Sequence, residues 1–413
     1  MRNWAGNHAY RAGRVHRPAT LGEVREIVAR APRIRVLGSR HSFSDIADSD
    51  ELLSLDGLPA DVVVDRAAGT VSFGAALTYG GLAEALRAEG VALHNLASLP
   101  HISVGGAIAT ATHGSGDGNG NLATAVAALE LVTSGGELVR FARSDPDCDG
   151  VVVGLGALGA VTRVTLDVEP AFEVAQRVFE GLAWDVLLAR FDEVMASGTS
   201  VSAFTTWGAA VDQVWVKSRL GAVAEPPGEL FGAAPAAVER HPIPGVDPVS
   251  CTPQLGVPGR WSERLPHFRM GFTPSPGEEL QSEYHVPRRH AAAAIEAVRA
   301  LAPLVRPVLQ VSEIRTVAAD ALWMSPQHER DTASLHFTWR REPEAVGRLL
   351  VELEAALAPF DARPHWGKLF AAGAAGIARL YPRLPDFRRL AGRLDPRGAF
   401  RNAWLARHVL GEG

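Results

Sequence analysis

The stretch Ser98–Gly120, SLPHISVGGAIATATHGSGDGNG, decides how the rest of this chain is read. Its last sixteen positions hold six glycines: Gly105, Gly106, Gly114, Gly116, Gly118 and Gly120. Hydroxyls are interleaved at Ser98, Ser103, Thr110, Thr112 and Ser115, and the one charged residue is Asp117. Glycine lets backbone approach a bulky group closely. Successive N–H groups aimed at one point, or the start of a helix, bind anions without a basic side chain. The stretch therefore reads as a cradle for a pyrophosphate or a planar cofactor. It also suits a small-residue helix packed tightly on a sheet and ending in a loop. On its own it supports both.

Upstream, Val91–His94 is a short strand leading into the stretch, and Tyr79–Glu89 is a helix closed by Gly90. Asp61–Val64 and Thr70–Gly74 read as a strand pair, and Thr20 with Glu23 forms a capping box for a helix through Ala29. The strand Ile34–Leu37 runs into Gly38-Ser39-Arg40-His41-Ser42-Phe43, a second candidate anion nest to which Arg40 adds charge. Read by itself, His41 is an ordinary loop histidine.

Downstream, Val126–Thr133 and Glu137–Phe141 flank Ser134-Gly135-Gly136 as a hairpin. Gly154-Leu155-Gly156-Ala157-Leu158-Gly159 after Val151-Val152-Val153 matches G-x-G-x-x-G formally. A dinucleotide fold needs a helix next. Instead Val161–Val168 alternates like a strand, which excludes a nicotinamide site here. A boundary falls at Glu169-Pro170. Beyond it Phe172–Phe179, Val201–Trp207, Gln213–Lys217 and Gln281–Val286 read as strands, and Trp184–Ala196, His290–Leu301 and Glu342–Leu357 as helices.

Residues 225–276 hold 11 of the 27 prolines, and their aromatics favour a docked cover. Two further strands carry polar residues at period two: Glu313 with Arg315 in Gln310–Val317, and His336 with Thr338 in Ser334–Trp339. Such a face meets solvent or lines a pocket for a hydroxylated ligand. Ala362–Phe370 reads as an extended return holding His365 and Lys368.

Composition narrows the function. The chain has 413 residues, 47% hydrophobic and 21% charged, with net charge -5. That fits a globular protein and argues against nucleic acid or an acidic membrane surface as partner. Cys148 and Cys251 make no disulfide framework, and the 14 histidines show no metal spacing, so no metal is expected. No leader or membrane span is apparent, and a cytoplasmic location is expected. Only two of the 41 basic residues are lysines, Lys217 and Lys368. An ammonium is a compact charge with a tunable pKa, so a retained lysine hints at chemistry. Lys217 reads more simply as a surface residue.

Five segments in order carry a resemblance: Gly38–Phe43, Ala97–Ser103, Thr112–Gly116, Glu313–Val317 and His365–Lys368. Together they resemble the bacterial alditol oxidases, also called xylitol or sorbitol oxidases, of the vanillyl-alcohol-oxidase superfamily of covalent flavoproteins. Aldonolactone oxidases share the first motifs, but the Glu-Ile-Arg strand and closing lysine fit the alditol enzymes better. The resemblance spans nearly the whole chain. It implies an α+β, two-domain PCMH-type FAD-binding fold with an inserted antiparallel-sheet substrate domain. Residues 1–170 completed by 365–413 would bind FAD, and 171–364 the substrate.

The resemblance also implies that His41 is joined covalently to FAD. Val36, Leu37, Gly38, Ser39, Arg40, Ser42 and Phe43 would hold the cofactor from one loop. Ser98, Ser103, Gly106, Thr110, Ala111, Thr112 and His113 would hold it from the other, with Val161 behind the adenine and His365 at the ring. Ser98, Gln281, Glu313, Arg315, Thr338 and Lys368 would bind a polyol, and Lys368, His336, Arg315 and Glu313 would act in catalysis. Lys368 and His336 are equal candidates for the base. Dioxygen is the implied co-substrate and a monomer the implied state. Three positions depart from the family pattern: Arg40 where some members have glycine, Ser44 where asparagine is common, and Asp117 where a small or apolar residue is expected. Asp117 is expected near the pocket mouth, where it would shift polyol preference.

Overall fold

The computed structural model describes residues 1–221, 228–272 and 278–411. The ends of the proline-rich segment, 225–227 and 273–276, lie outside these residues. Two small sheets build the N-terminal part. The strand Glu51–Ser54 lies between Arg14–His16 and Ile34–Leu37, parallel to both. A five-stranded antiparallel sheet runs Val63–Asp65, Thr70–Gly74, Ala160–Asp167, Val126–Val132, Leu138–Ala142. The alternation from Val161 does make a strand, with Ala160, Thr162, Val164 and Leu166 buried. Val151 instead closes a short helix, Cys148–Val151.

Local signals explain the helices. Thr20 Oγ1 accepts from Glu23 N at 3.2 Å and Ala19 N donates to Glu23 Oε2 at 2.7 Å, so the capping box starts Leu21–Arg30. Tyr79–Glu89 ends on Gly90 in the left-handed conformation, φ 66°. The expected helix over 184–196 is two pieces, Trp184–Ala189 and Phe191–Met195, broken at Arg190.

Every strand of a nine-stranded sheet falls between Glu173 and Pro364, and its pairings are antiparallel. Its middle runs Glu173–Leu182, Val211–Arg219, Ser200–Thr205, Leu309–Val317, Thr332–Arg340, Glu279–Pro287. The outer face is apolar: Ala291–Ala300 and Pro343–Leu357 cover Ile314, Leu335 and Phe337 in one core. The other face carries the polar residues. A second core joins the five-stranded sheet to the C-terminal tail through Trp366, Tyr381 and Trp404. No described helix is long and apolar enough to cross a membrane.

Candidate active site

The two glycine-bearing loops meet at two serines 64 residues apart. Ser39 N donates to Ser103 Oγ at 3.2 Å, and Ser103 N donates to Ser39 Oγ at 3.0 Å. A Cβ on Gly38 would lie 2.6 Å from Ser103 Oγ and would push that hydroxyl off its bond with Ser39 N. Arg40 holds φ 64°, the left-handed region that glycine enters freely. Val104–Ala109 is a six-residue helix on the cleft wall, so the packed-helix reading holds for the first half of the opening stretch, which also borders the cavity.

The second half has another task. Gly114, Gly116, Gly118 and Gly120 do not line the cleft. Gly116, φ 127°, donates to Thr316 O at 2.9 Å and lies so near Thr199 O that a Cβ would meet it at 2.2 Å. Gly116, together with Asn119 O accepting from Ala318 N at 2.9 Å, ties the first part of the chain to the nine-stranded sheet.

One cavity of about 550 Å³ runs from the serine pair to the polar face of that sheet. Val36 through Phe43 line it on one loop, and Ser98, Ser103, Gly106, Thr110, Thr112 and His113 on the other. Val161, Gln281, Glu313, Arg315, His336, Thr338, His365 and Lys368 complete the residues expected from sequence. Ala111 is the exception. It is fully buried with φ 52°, so it turns the chain inside the core rather than facing the cavity. Asp117 is also elsewhere: its carboxylate pairs with Arg288 at 2.6 Å and accepts from Thr316 at 2.7 Å.

Sheet register assembles the chemistry. Glu283, His336 and Glu313 occupy one row across three adjacent strands, and Arg315 stands opposite Ser334 one row on. The return at 363–370 is paired as a strand only over Arg363–Pro364. It then turns, with Lys368 N donating to His365 O at 3.1 Å, and this aims Lys368 back at the sheet. Lys368 Nζ reaches Glu283 Oε2 at 2.5 Å, and Arg315 reaches Glu283 Oε1 at 2.8 Å.

Glu283 was not singled out from sequence. Its signal is the same alternation, Gln281, Glu283 and His285 in one strand. Burial pushes its carboxyl up, but Lys368, His113 and Arg315 outweigh this and hold it well below the usual range. His113 Nδ1 donates to Gly114 O at 2.8 Å, while its Nε2 lies 3.0 Å from Glu283 Oε1, off the hydrogen-bond direction. His113, Glu283 and His365 form a buried group that suits a metal by distance. Two cations already occupy that carboxylate, so a third positive charge is disfavoured.

Hydrogen bonds settle the state of His336. Gln281 Nε2 donates to Glu279 at 2.6 Å, so Gln281 Oε1 is the atom 3.1 Å from His336 Nε2. That oxygen can only accept, so His336 Nε2 carries the proton and Nδ1 a lone pair. Burial lowers the imidazole to about 3, with Lys368 adding to the effect, and keeps it neutral. Its Nδ1 stands 3.7 Å from Glu313 Oε2. Two buried acceptors facing each other call for a donor between them, such as a hydroxyl. Burial also lowers Lys368, Glu283 opposing and Arg315 assisting.

At the other end of the cavity, Trp4 stacks on His41 with ring centroids 5.0 Å apart. Burial lowers His41 to about 4, so its ring is neutral, and among the described residues it has no hydrogen-bond partner. An apolar, glycine-lined cleft with a neutral imidazole at one side fits a flavin nucleotide.

The comparisons agree. The FAD binding domain family matches residues 12–142, and the D-arabinono-1,4-lactone oxidase family matches 277–408. An alditol oxidase from a Streptomyces species is 52% identical over 408 residues, 98% of this chain and 97% of its own length. The chain belongs to the alditol oxidase family. A more distant relative of this alditol oxidase family member, an L-gulono-1,4-lactone dehydrogenase from Mycobacterium tuberculosis, is 28% identical over 99% of this chain and 98% of its own. Among solved structures, cholesterol oxidase from B. sterolicum superposes with TM-score 0.78 at 15% identity, over 99% of this chain and 96% of that one. At that identity the likeness concerns the fold alone: α+β, with a large antiparallel sheet. The protein binds FAD.

Proposed function

We propose that this chain oxidises a terminal primary alcohol of an alditol such as xylitol or sorbitol to the aldose, with dioxygen reduced to hydrogen peroxide. The observation that carries this is the buried row Glu283–His336–Glu313, with Lys368 and Arg315 beside it, facing the cavity that His41 lines. A sugar alcohol is a string of hydroxyls, and this face offers acceptors along one row with the donors Lys368 and Arg315 beside it.

When bound, FAD supplies a hydride acceptor that dioxygen can reoxidise. The chain's residues do the rest. Lys368, paired with Glu283, donates to the reacting oxygen and polarises it. His336 Nδ1 takes the hydroxyl proton, as a neutral base within reach. Glu313 Oε2 accepts from the neighbouring hydroxyl. Ser98, Gln281 and Thr338 read hydroxyls further along, and Arg315 holds both carboxylates in place. Each lost partner of a buried polar group costs about 1–3 kcal/mol, so deoxy substrates react more slowly. His41 is the residue we assign to a covalent bond with FAD. Its neutral, unpartnered ring and the supporting Trp4 favour this. Residues 1–170 with 365–413 form the cofactor domain in this reading and 171–364 the substrate domain, in a cytoplasmic monomer.

The test is product analysis with xylitol and sorbitol in air. One peroxide and one aldose per alditol supports the reading. The lactone-related matches favour a second reading, an aldonolactone or sugar dehydrogenase with another acceptor. Turnover with dye but no peroxide in air would select it.

A further inference from the structure

Lys217, expected at the surface, is 1% exposed and sits on the polar face of the large sheet. Its Nζ donates to the carbonyls of Leu265 and Pro266, the latter at 3.0 Å, and lies 3.2 Å from His267 Nδ1. An ammonium has three N–H donors, and these three acceptors use all of them. His267 Nε2 lies 2.8 Å from Glu313 Oε1. His267 is 5% exposed and Glu313 4%, so solvent does not compete. The surroundings of the imidazole are Phe204 and Trp215, each edge-on about 5 Å away with centroids at 5.5 and 5.3 Å. Both rings fix its plane.

We infer that Lys217 and His267 form a two-link relay that positions Glu313 for the substrate. The ammonium donates to Nδ1, which leaves the proton on Nε2. That proton saturates Glu313 Oε1. The carboxylate is thereby turned so that Oε2 alone faces His336 and the cavity. Lys217 lies behind the cavity wall and His267 forms part of that wall; both act through Glu313, as positioning residues. The inference rests on the alditol oxidase reading above for what Glu313 meets.

Other contacts support this. His267 N and Phe268 N both donate to Ser98 O at 3.2 Å, so the same short segment pins a second substrate-side residue. Arg315 Nε lies 3.5 Å from Glu313 Oε1, on the side His267 uses, and leaves Oε2 free of cations other than through space. Burial pushes Lys217 down to about 7, with Glu313 and Cys251 opposing. Burial likewise lowers His267 to about 4, with Lys217 adding to it, which keeps the ring neutral as the relay requires.

The first test does not use turnover. In the FAD-loaded protein with ¹⁵N-labelled histidine, the His267 resonances, assigned by their loss in His267→Gln, show Nε2 protonated and Nδ1 bare. In Lys217→Met the Nδ1 resonance moves downfield as its donor is removed. A proton on Nδ1, or on both nitrogens, overturns the relay. The second test is anaerobic flavin reduction by xylitol. His267→Phe slows it about tenfold or more and weakens xylitol binding, the scale of one lost hydrogen bond to a charged group. His267→Gln, whose amide N–H reaches the same oxygen, recovers to within about threefold. Wild-type rates in flavin-loaded His267→Phe, or a glutamine variant as slow as the phenylalanine one, overturn the proposal. If His267→Phe does not hold FAD, Lys217→Met decides by the same rate: slower supports, unchanged overturns. A wild-type protein that no alditol reduces, yet with the expected His267 tautomer, removes the functional reading and leaves the relay standing.

Discussion

At the scale of single residues, the account turns on which groups carry protons. Lys368→Met removes the donor to the reacting oxygen and one of the two cations paired with Glu283; the limiting rate of flavin reduction should fall about 10²-fold or more. His336→Ala removes the base and should fall by a similar factor, with FAD content unchanged. Stopped-flow reduction measures both, and wild-type rates in both would contradict the assignment. His41→Ala should still bind FAD but release it on acid precipitation, which absorbance of the supernatant reads directly. Much of this was legible in the sequence. Glu313, Arg315, His336 and Thr338 stand out because charged and polar residues recur at period two in otherwise apolar strands. Glu283 carries the same signal in its own strand. His267 carries none, and Lys217 only its rarity as one of two lysines. A lone lysine in a strand looks like any solvent-facing residue, and His267 lies in an irregular proline-rich segment with no period to place it.

At the scale of elements, the opening glycine stretch divides its labour. Its first half walls the cavity through a six-residue helix, and its second half bolts that wall to the large sheet. Pattern reading could not separate the halves, because glycine signals close approach without saying to what. The two halves predict different failures. Gly38→Ala drives a Cβ to 2.6 Å from Ser103 Oγ and should spoil FAD binding with modest loss of stability. Gly116→Ala adds a side chain at φ 127° against Thr199 O and should lower stability by about 1–3 kcal/mol. FAD stoichiometry and denaturant midpoints, measured on both variants, check the division. Equal loss of FAD in the two would contradict it. Register, too, was only half legible. Alternation showed which faces were polar, but not that Glu283, His336 and Glu313 share a row, since strand order is a matter of tertiary pairing.

At the scale of the molecule, the site is a buried cluster of charges whose sum depends on neutral histidines. His267 and His336 are lowered to about 4 and about 3, and His285 and His365 lie well below the ordinary value, all chiefly by burial. The unfolded chain takes up these protons near pH 6.5, and the native state does not. Between those values the unfolded state binds more protons, so stability rises with pH. Stability should therefore drop as pH falls from about 6.5 towards 4. Glu283 adds to this at the acid end, because its depressed carboxyl stabilises above the unfolded value of about 4.3 and the gain is lost below it. Scanning calorimetry from pH 7.5 to 5 should show Tm falling by about 5 °C or more, and a flat Tm would contradict the buried neutral assignments.

The most direct test of the whole account is anaerobic addition of xylitol to the purified yellow protein, followed in the visible. The account predicts that the flavin bands bleach, and that admitting air restores them with one hydrogen peroxide formed per flavin. A spectrum that no alditol changes, in protein carrying its full complement of FAD, would contradict it.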